Sequence, residues 1–506
     1  MPYTIGLPSA ASAFLSAGFA TQFSVAVVIC LVIVLITASL PPEGGDEAPK
    51  SLPGLPFLSI VPFFRQRYDF LNWGFRITGQ STFQFQLMNN TVIAVSGASA
   101  RRAFFYAKGF DLTEGFKFLS GAIPMVRGVT SGIQTKRIST IHKRLAAVQK
   151  NASLSELIPA ILEDSRRILE SYGTSGIFDP FDKIYELMFQ TTVRSLSASE
   201  ISDDAALVAR LKTLYDRLDT GTTPATVLLP WFPTPAMIKK IWATKEIYDI
   251  VVRAIDAREQ SGVSRNDTLQ MLVDAGDERL VVVGFIMGLL IAGARATGTT
   301  ASWIITFLGG HADWRHKAKT EVESLLATYS DATMSSFSAR LAEIPLEIWE
   351  SQTPVLDAII RETLRVAQPH TAMRRNLGPE VYINDKSIPS GAYVVYPFSD
   401  VHLDPEIYPD PWRFDPSRKE VEPTADLPLP YVGWGVGKTT CLGTRLAKIE
   451  LKLTVALFLL GFDHVLVSGD GNTPTAPPKP NWNDILQCRP PHGACSVKYT
   501  RTAFAL

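Results

Sequence analysis

The chain has 506 residues, and its 49 Lys+Arg are balanced by 49 Asp+Glu, so the formal net charge is zero. That balance argues against a nucleic-acid partner, which shows as a basic surplus, and the 46% apolar fraction is that of an ordinary globular protein. Its 4 cysteines (Cys30, Cys441, Cys488, Cys495) are too few for a disulfide scaffold. They point to a reducing compartment, although Cys488 and Cys495 are close enough in sequence to pair. At about 150 residues per domain the length would make three domains, yet no internal repeat or low-complexity stretch divides the chain.

Residues 1–42 carry no charged side chain, and Phe23 to Leu40 is an apolar run of 18 residues. That is about the minimum for a membrane-spanning helix. It lacks the basic start of a signal peptide and is too long for an ordinary cleavable apolar region. The reading is a membrane anchor over 1–42, with the span at about 23–40. The flanking Glu43, Asp46 and Glu47 precede the first cation, Lys50, so charge does not orient it. Residues 43–56 (PEGGDEAPKSLPGLP from Pro42 on) form a Pro/Gly-rich hinge, which leaves 57–506 as the main domain.

Phe83 to Ser96 alternates on both sides of Asn89-Asn90, as a hairpin does. Phe105 to Val126 carries Phe110, Phe116, Phe118, Ile123 and Met125 without clear periodicity. Leu280 to Gly309 is apolar for only about 15 residues before Arg295, too short for a bilayer, so a long core helix is predicted. It holds Gly293, Ala296 and Thr297 in the string AGARAT. Thr353 can cap, and Pro354 can start, a further helix whose apolar face is Leu356, Ile359, Ile360 and Leu364. Glu362 and Arg365, three apart, share a face of it. Arg374 and Arg375 begin a sheet element, and Glu380 to Tyr396 reads as two short strands around Asn384-Asp385. His402 is read as structural.

The chain then reaches Phe414-Asp415-Pro416-Ser417-Arg418 and the glycine-rich loop Trp434-Gly435-Val436-Gly437-Lys438-Thr439-Thr440-Cys441-Leu442-Gly443. Glycine permits positive φ and close backbone approach, so this loop can wrap around one side chain. Leu446, Ile449, Leu453 and Leu457 then mark a helix. A thiolate held before a helix start has a lowered pKa and is a soft ligand suited to iron.

Together these segments resemble the cytochrome P450 family. The loop matches its Phe-Gly-x-Gly-x-Arg/His-x-Cys-x-Gly pattern, with Trp434 for Phe and Thr439 for Arg/His, beside which Lys438 offers a cation. AGARAT matches Ala/Gly-Gly-x-Asp/Glu-Thr, but Arg295 stands at the acid, Ala296 at the threonine, and Thr297 one place late. A basic residue at the acid position resembles the sterol demethylase branch. Glu362-x-x-Arg365 and Phe414-x-Pro416-x-Arg418 match the family's buried ionic network.

The resemblance implies a mainly α fold with a small β region, the cytochrome P450 fold, preceded by a single N-terminal transmembrane helix. It implies Cys441 as axial ligand of the iron of haem b (iron-protoporphyrin IX), within a cradle of Trp434, Gly435, Gly437, Lys438 and Gly443. Arg375, with Arg374 competing, is implied at a haem propionate; His142-Lys143-Arg144 is a further cluster where the family often places such a cation. Gly293, Ala296 and Thr297 are implied at the oxygen site, Thr297 reaching it only through a π-bulge. Phe105 to Val126 either lines the substrate pocket or packs in the core.

The implied activity is insertion of one oxygen atom from O2 into a lipophilic small molecule: a terpenoid, a steroid or another secondary metabolite. Electrons would come from NADPH through NADPH-cytochrome P450 reductase, with cytochrome b5 a further candidate partner. Lys438, Arg445, Lys448 and Lys452 would form a patch that steers an acidic partner. The expected location is the endoplasmic reticulum membrane, single-pass, with the catalytic domain in the cytosol. The rival readings are a P450-fold isomerase or dehydratase needing no reductase, and a haem sensor or carrier.

Overall fold

The computed structural model describes Ser24 and residues 47–53, 56–120, 135–469, 471–474, 476–491, 493–502 and 506. But for Ser24, the expected membrane span lies outside them, as do Ile123 and Met125.

Long helices frame the molecule: α1 (Asn151–Glu170), α2 (Pro180–Leu196), α3 (Ala205–Thr220), α4 (Pro235–Ser261), α5 (Arg279–Gly310), α6 (Pro354–Val366) and α7 (Thr444–Gly461). Their starts follow local chemistry. The Asp179 carboxylate accepts from the Phe181 N–H with Pro180 in the first turn of α2, Asp204 caps α3, and Thr234 precedes Pro235 at α4. The start of α6 departs from expectation. The Thr353 hydroxyl donates back to the Trp349 carbonyl (2.8 Å). The carboxylate of remote Glu321 instead caps α6, accepting from the N–H groups of Val355 and Leu356 at 2.7 and 3.0 Å.

The 32-residue α5 runs through the core against α2, α4, α6 and α7. Among the described residues it alone is long and apolar enough to cross a membrane, but these neighbours bury it. Small residues allow the α2–α5 contact: a Cβ on Gly298 would strike the Tyr185 ring at 2.6 Å, and one on Gly293 would meet Thr192 Cγ2 at 3.3 Å.

The described strands are β1 (Lys50–Ser51), β2 (Thr82–Leu87), β3 (Asn90–Val95), β4 (Phe110–Asp111), β5 (Ser175–Phe178), β6 (Thr371–Asn376), β7 (Val381–Ile383), β8 (Lys386–Ile388), β9 (Tyr393–Pro397), β10 (Phe462–Val467) and β11 (Ser496–Arg501). They form one sheet in the order β1-β2-β3-β9-β6-β4, a three-stranded sheet β10-β11-β5 and the hairpin β7-β8. The predicted hairpin at Asn89-Asn90 is β2-β3, pairing Leu87 with Asn90, so its turn is Met88-Asn89, with Met88 at φ 55°. β7-β8 turns at Asn384-Asp385, both at positive φ.

Part of the expected hinge is not a free linker. Lys50–Ser51 pairs in parallel with β2, and the Leu52 N–H donates to the Gln84 carbonyl at 2.9 Å. Leu52 is the apolar residue that holds it there, packing on Phe63, Phe83 and their neighbours. Phe105 and Phe118 are core, Phe118 stacking at 4.4 Å on Tyr393, whereas Phe116 is exposed. Cys488 and Cys495 are both buried and free, so the pairing open to them does not form.

Candidate active site

The Cys441 loop closes on itself. The Cys441 N–H donates to the Trp434 carbonyl at 2.6 Å. Gly435 and Gly437 have φ of 71° and 56°, where a side chain would be strained. Gly443 precedes the first turn of α7. Trp434 lies half-buried against the main core.

Across from this loop stands the middle of α5, and between them lies a cavity of about 400 Å³. Cys441 is on one wall, and Gly293, Ala296 and Thr297 are on the other. Leu289, Leu364 and Leu446 make much of the remainder apolar. Thr297 reaches the wall although α5 is regular α-helix throughout, so the expected π-bulge is absent. Its hydroxyl donates to the Gly293 carbonyl at 3.0 Å. Gly293 serves α2 as much as the cavity, since its missing side chain would point at Thr192 and Leu196.

Arg295 turns away from the cavity. It pairs with Asp219 and, at 3.7 Å, with Asp216 on α3, and lies over the Tyr185 ring. It ties α5 to α3 and offers the cavity nothing.

Below α6, Glu362 is buried and fully engaged. It accepts from Arg365 Nε and Nη2 (2.8 and 2.7 Å), from Arg418 Nε (3.1 Å) and from the Asp415 N–H (3.0 Å). Arg365 also donates to the carbonyls of His402 and Pro411, each at 2.7 Å. Every charge thus has a partner, which is the condition for tolerating such a buried cluster. His402 is structural: its Nε2 accepts from the Val432 N–H at 3.1 Å and its ring stacks on Tyr431.

The cations sort differently from expectation. Arg375 is not a lining residue; it donates to the Gly391 carbonyl, approaches Glu114 at 3.7 Å and lies over Tyr393. Arg374, on the opposite face of β6, is buried over the Phe104 ring and donates only to its own neighbour's carbonyl, Met373. Burial pulls its pKa down to about 10. Arg144 pairs with Asp277 at 2.6 Å, while His142 lines the cavity. The expected cationic patch is largely neutralised: Arg445 pairs with Glu350, and Lys448 and Lys452 with Asp357 at 3.1 and 2.9 Å. Helices packed against α7 bring these carboxylates to it, which the sequence of α7 does not reveal. Lys438 lines the cavity and forms no ion pair among the described residues.

Gln368, Thr192 and Glu450 are among the lining residues that escaped the sequence reading. Gln368 donates to the Gly433 carbonyl at 3.0 Å and leaves its buried Oε1 without a partner. Thr192 on α2 and Glu450 on α7 also line the cavity. Glu450 was legible in principle, as the one acid on the apolar face of α7.

A family description for Cytochrome P450 matches residues 49–495. The chain is 28% identical over 455 residues to the cytochrome P450 monooxygenase AacuE of Aspergillus aculeatus, covering 87% of this chain and 90% of that one. It is 27% identical to human lanosterol 14-alpha demethylase, covering 85% and 83%. Among solved structures, retinoic acid-bound cyanobacterial CYP120A1 superposes with a TM-score of 0.71 at 23% identity, covering 91% of this chain and 100% of that one, a likeness of fold.

Proposed function

The chain belongs to the cytochrome P450 family as a monooxygenase, and from that premise we propose that it oxygenates a lipophilic small molecule with electrons from NADPH delivered by a flavin-containing reductase. The observation that carries the reading is the facing pair of walls: a single thiol on a glycine-turned loop, opposite a helix that presents Gly293, Ala296 and Thr297 across an apolar cavity.

These residues fit haem. Cys441 supplies one soft donor. Among the described residues no group of three or more His, Cys, Asp or Glu could hold a metal by itself, and the macrocycle of haem would supply the ligands that Cys441 does not. The Gln368 Oε1, without a partner among the described residues, and the cation Lys438 mark polar points on a largely apolar wall. Cys441 would hold the iron, with Trp434 packed beside the loop and Gly435, Gly437 and Gly443 giving it its path. Lys438, which lines the cavity, is better placed for a propionate than Arg375, which approaches Glu114, or Arg374, neither of which lines it. The chemistry haem supplies when bound is reductive activation of O2. The leucine walls exclude water and favour an apolar substrate. Thr297, not Ala296, carries the hydroxyl on the oxygen-facing wall.

The relatives named as fungal monooxygenases and as lanosterol demethylases support a terpenoid, steroid or other secondary metabolite as substrate. Exposed Trp231, Phe232, Ile238, Ile241 and Trp242 support membrane seating. Residues 1–42 would add the anchor, and the endoplasmic reticulum would be the membrane. Residues 57–506 would form one catalytic domain. Cytochrome b5 would be a second electron donor.

The test is the reduced carbon-monoxide difference spectrum of the purified protein, followed by NADPH-dependent product formation with added reductase. A thiolate-type Soret band and NADPH-dependent product are expected. Protein without haem, or turnover that ignores NADPH, refutes the reading.

A further inference from the structure

One chain of side chains crosses from α7 to α5, and its first two members, Glu450 and Thr192, have no role in the reading above. Glu450 on α7 is buried, 1% exposed, and lines the cavity. Its Oε2 accepts from the Thr192 hydroxyl on α2 at 3.2 Å, and its Oε1, also buried, has no hydrogen-bond partner among the described residues. Thr192 Oγ1 is in turn 3.4 Å from Thr297 Oγ1 on α5. All three residues line the same cavity. The three side chains come from three helices, so the link exists only in the folded protein.

The polarity of this chain is set by Glu450. When the acid is ionised, Thr192 donates to it and Thr297 is free to donate to Thr192. When the acid is protonated, its O–H donates to Thr192, Thr192 to Thr297, and the Thr297 proton is aimed at the Gly293 carbonyl or, after rotation, into the cavity. A hydroxyl can accept one proton while releasing another, so a proton leaving Glu450 emerges at Thr297 with no atom displaced further than a hydrogen.

We propose that Glu450, through the hydroxyls of Thr192 and Thr297, delivers protons to the oxygen-facing wall of α5, replacing the acid and threonine that Arg295 and Ala296 cannot supply. The inference rests on the monooxygenase reading. The balance is RH + O2 + 2 e⁻ + 2 H⁺ → ROH + H2O: the reductase supplies the electrons, and this chain is the route for protons. Glu450 reloads from water in the cavity that it lines.

The environment of Glu450 suits the role. Burial raises its pKa from the ordinary 4.5 to about 7, an effect partly offset by the nearby Ser195 and Thr192 hydroxyls. It forms no ion pair among the described residues, and the other titratable groups on the cavity wall are His142, Lys438 and Cys441. A proton donor works best when its pKa lies near the working pH.

The experiment uses the haem-loaded full chain as wild type, Glu450→Gln and Thr192→Val, each near-isosteric. Infrared difference spectra, with no substrate added, should show the carbonyl stretch of a protonated buried acid at about pH 6 that fades by about pH 8. The band should be absent in Glu450→Gln and shifted in Thr192→Val. Dealkylation of a fluorogenic alkoxycoumarin is then driven in two ways. Driven by NADPH and reductase, it should fall roughly tenfold or more in both variants. Driven by cumene hydroperoxide, RH + R′OOH → ROH + R′OH needs no external proton, and the rate should stay near wild type. No acid band in the wild type, or equal losses in both assays, overturns the proposal; equal losses mean a structural role. A wild type that takes up no haem would instead sink the functional reading, while the infrared comparison would still decide whether Glu450 holds a proton.

Discussion

Removing Glu362 should cost the protein both stability and haem. In Glu362→Ala, Arg365 and Arg418 keep their charges but lose the only carboxylate they share. Arg365 is 1% exposed and loses two charge-assisted bonds of 2.8 and 2.7 Å; Arg418 loses one of 3.1 Å, and the Asp415 N–H one of 3.0 Å. The carbonyls of His402 and Pro411 remain to Arg365, which limits the loss without neutralising it. An uncompensated buried charge costs about 3–5 kcal/mol. At roughly 2.1 cal/mol/K of unfolding entropy per residue, a chain of this size should melt about 4 °C lower for about 4 kcal/mol. The damage extends to the cavity, because Tyr431 stacks on His402 and donates to the Arg361 carbonyl just before the Cys441 loop. Haem content, read as Soret absorbance per protein, should therefore fall along with the melting temperature. The control is Glu114→Ala, which removes part-exposed contacts with Lys117 at 2.8 Å and Arg375 at 3.7 Å and should cost about 0–1 kcal/mol. Wild-type melting and haem content in Glu362→Ala would refute the argument.

Cys441→Ser should abolish the thiolate-type reduced carbon-monoxide band; a variant that keeps it has another ligand. Gly298→Val should push the Tyr185 ring and separate α2 from α5, destabilising by about 1–3 kcal/mol, read as a lower melting temperature. Relative to Glu450→Gln, wild-type stability should be level below about pH 4.5 and decline as pH rises through about 7, because the folded state binds the Glu450 proton more tightly than the unfolded chain; pH-dependent denaturant melts check the sign. Trp231→Ser with Trp242→Ser, in a chain lacking residues 1–42, should reduce cosedimentation with phospholipid vesicles.

What was legible in the sequence is what local spacing dictates. The hairpins at Met88-Asn89 and Asn384-Asp385, the core helix after Leu280 and the glycine-rich loop around Cys441 are set by residues within one or two turns of each other. The ionic network was readable too, but only because a resemblance joined Glu362 to Arg418, 56 positions away. Spacing alone paired Glu362 with Arg365. What failed was the reading of side chains whose partners lie on remote elements that no motif joins to them. Arg445, Lys448 and Lys452 read as a free patch until Glu350 and Asp357 were packed against them, and Thr353 read as a cap until Glu321 took its place.

The middle of α5 shows why the same blindness matters for chemistry. By its motif alone, a helix that reads AGARAT has lost both the acid and the hydroxyl that the family places there, and the sequence reading needs a bulge to recover the hydroxyl. The regular helix recovers it without one, because Thr297 lies on the cavity wall while Arg295, two residues earlier, swings to Asp219 on α3. The missing acid is not on α5 at all. Glu450 is 153 positions later in sequence, but Thr192 bridges the gap from a third helix at 3.2 and 3.4 Å. Gly293 makes the bridge possible, since its absent Cβ leaves Thr192 room beside α5. The glycine that a motif assigns to oxygen therefore also sets the distance between two helices. A proton path assembled that way leaves no local pattern in any one of the three segments that build it.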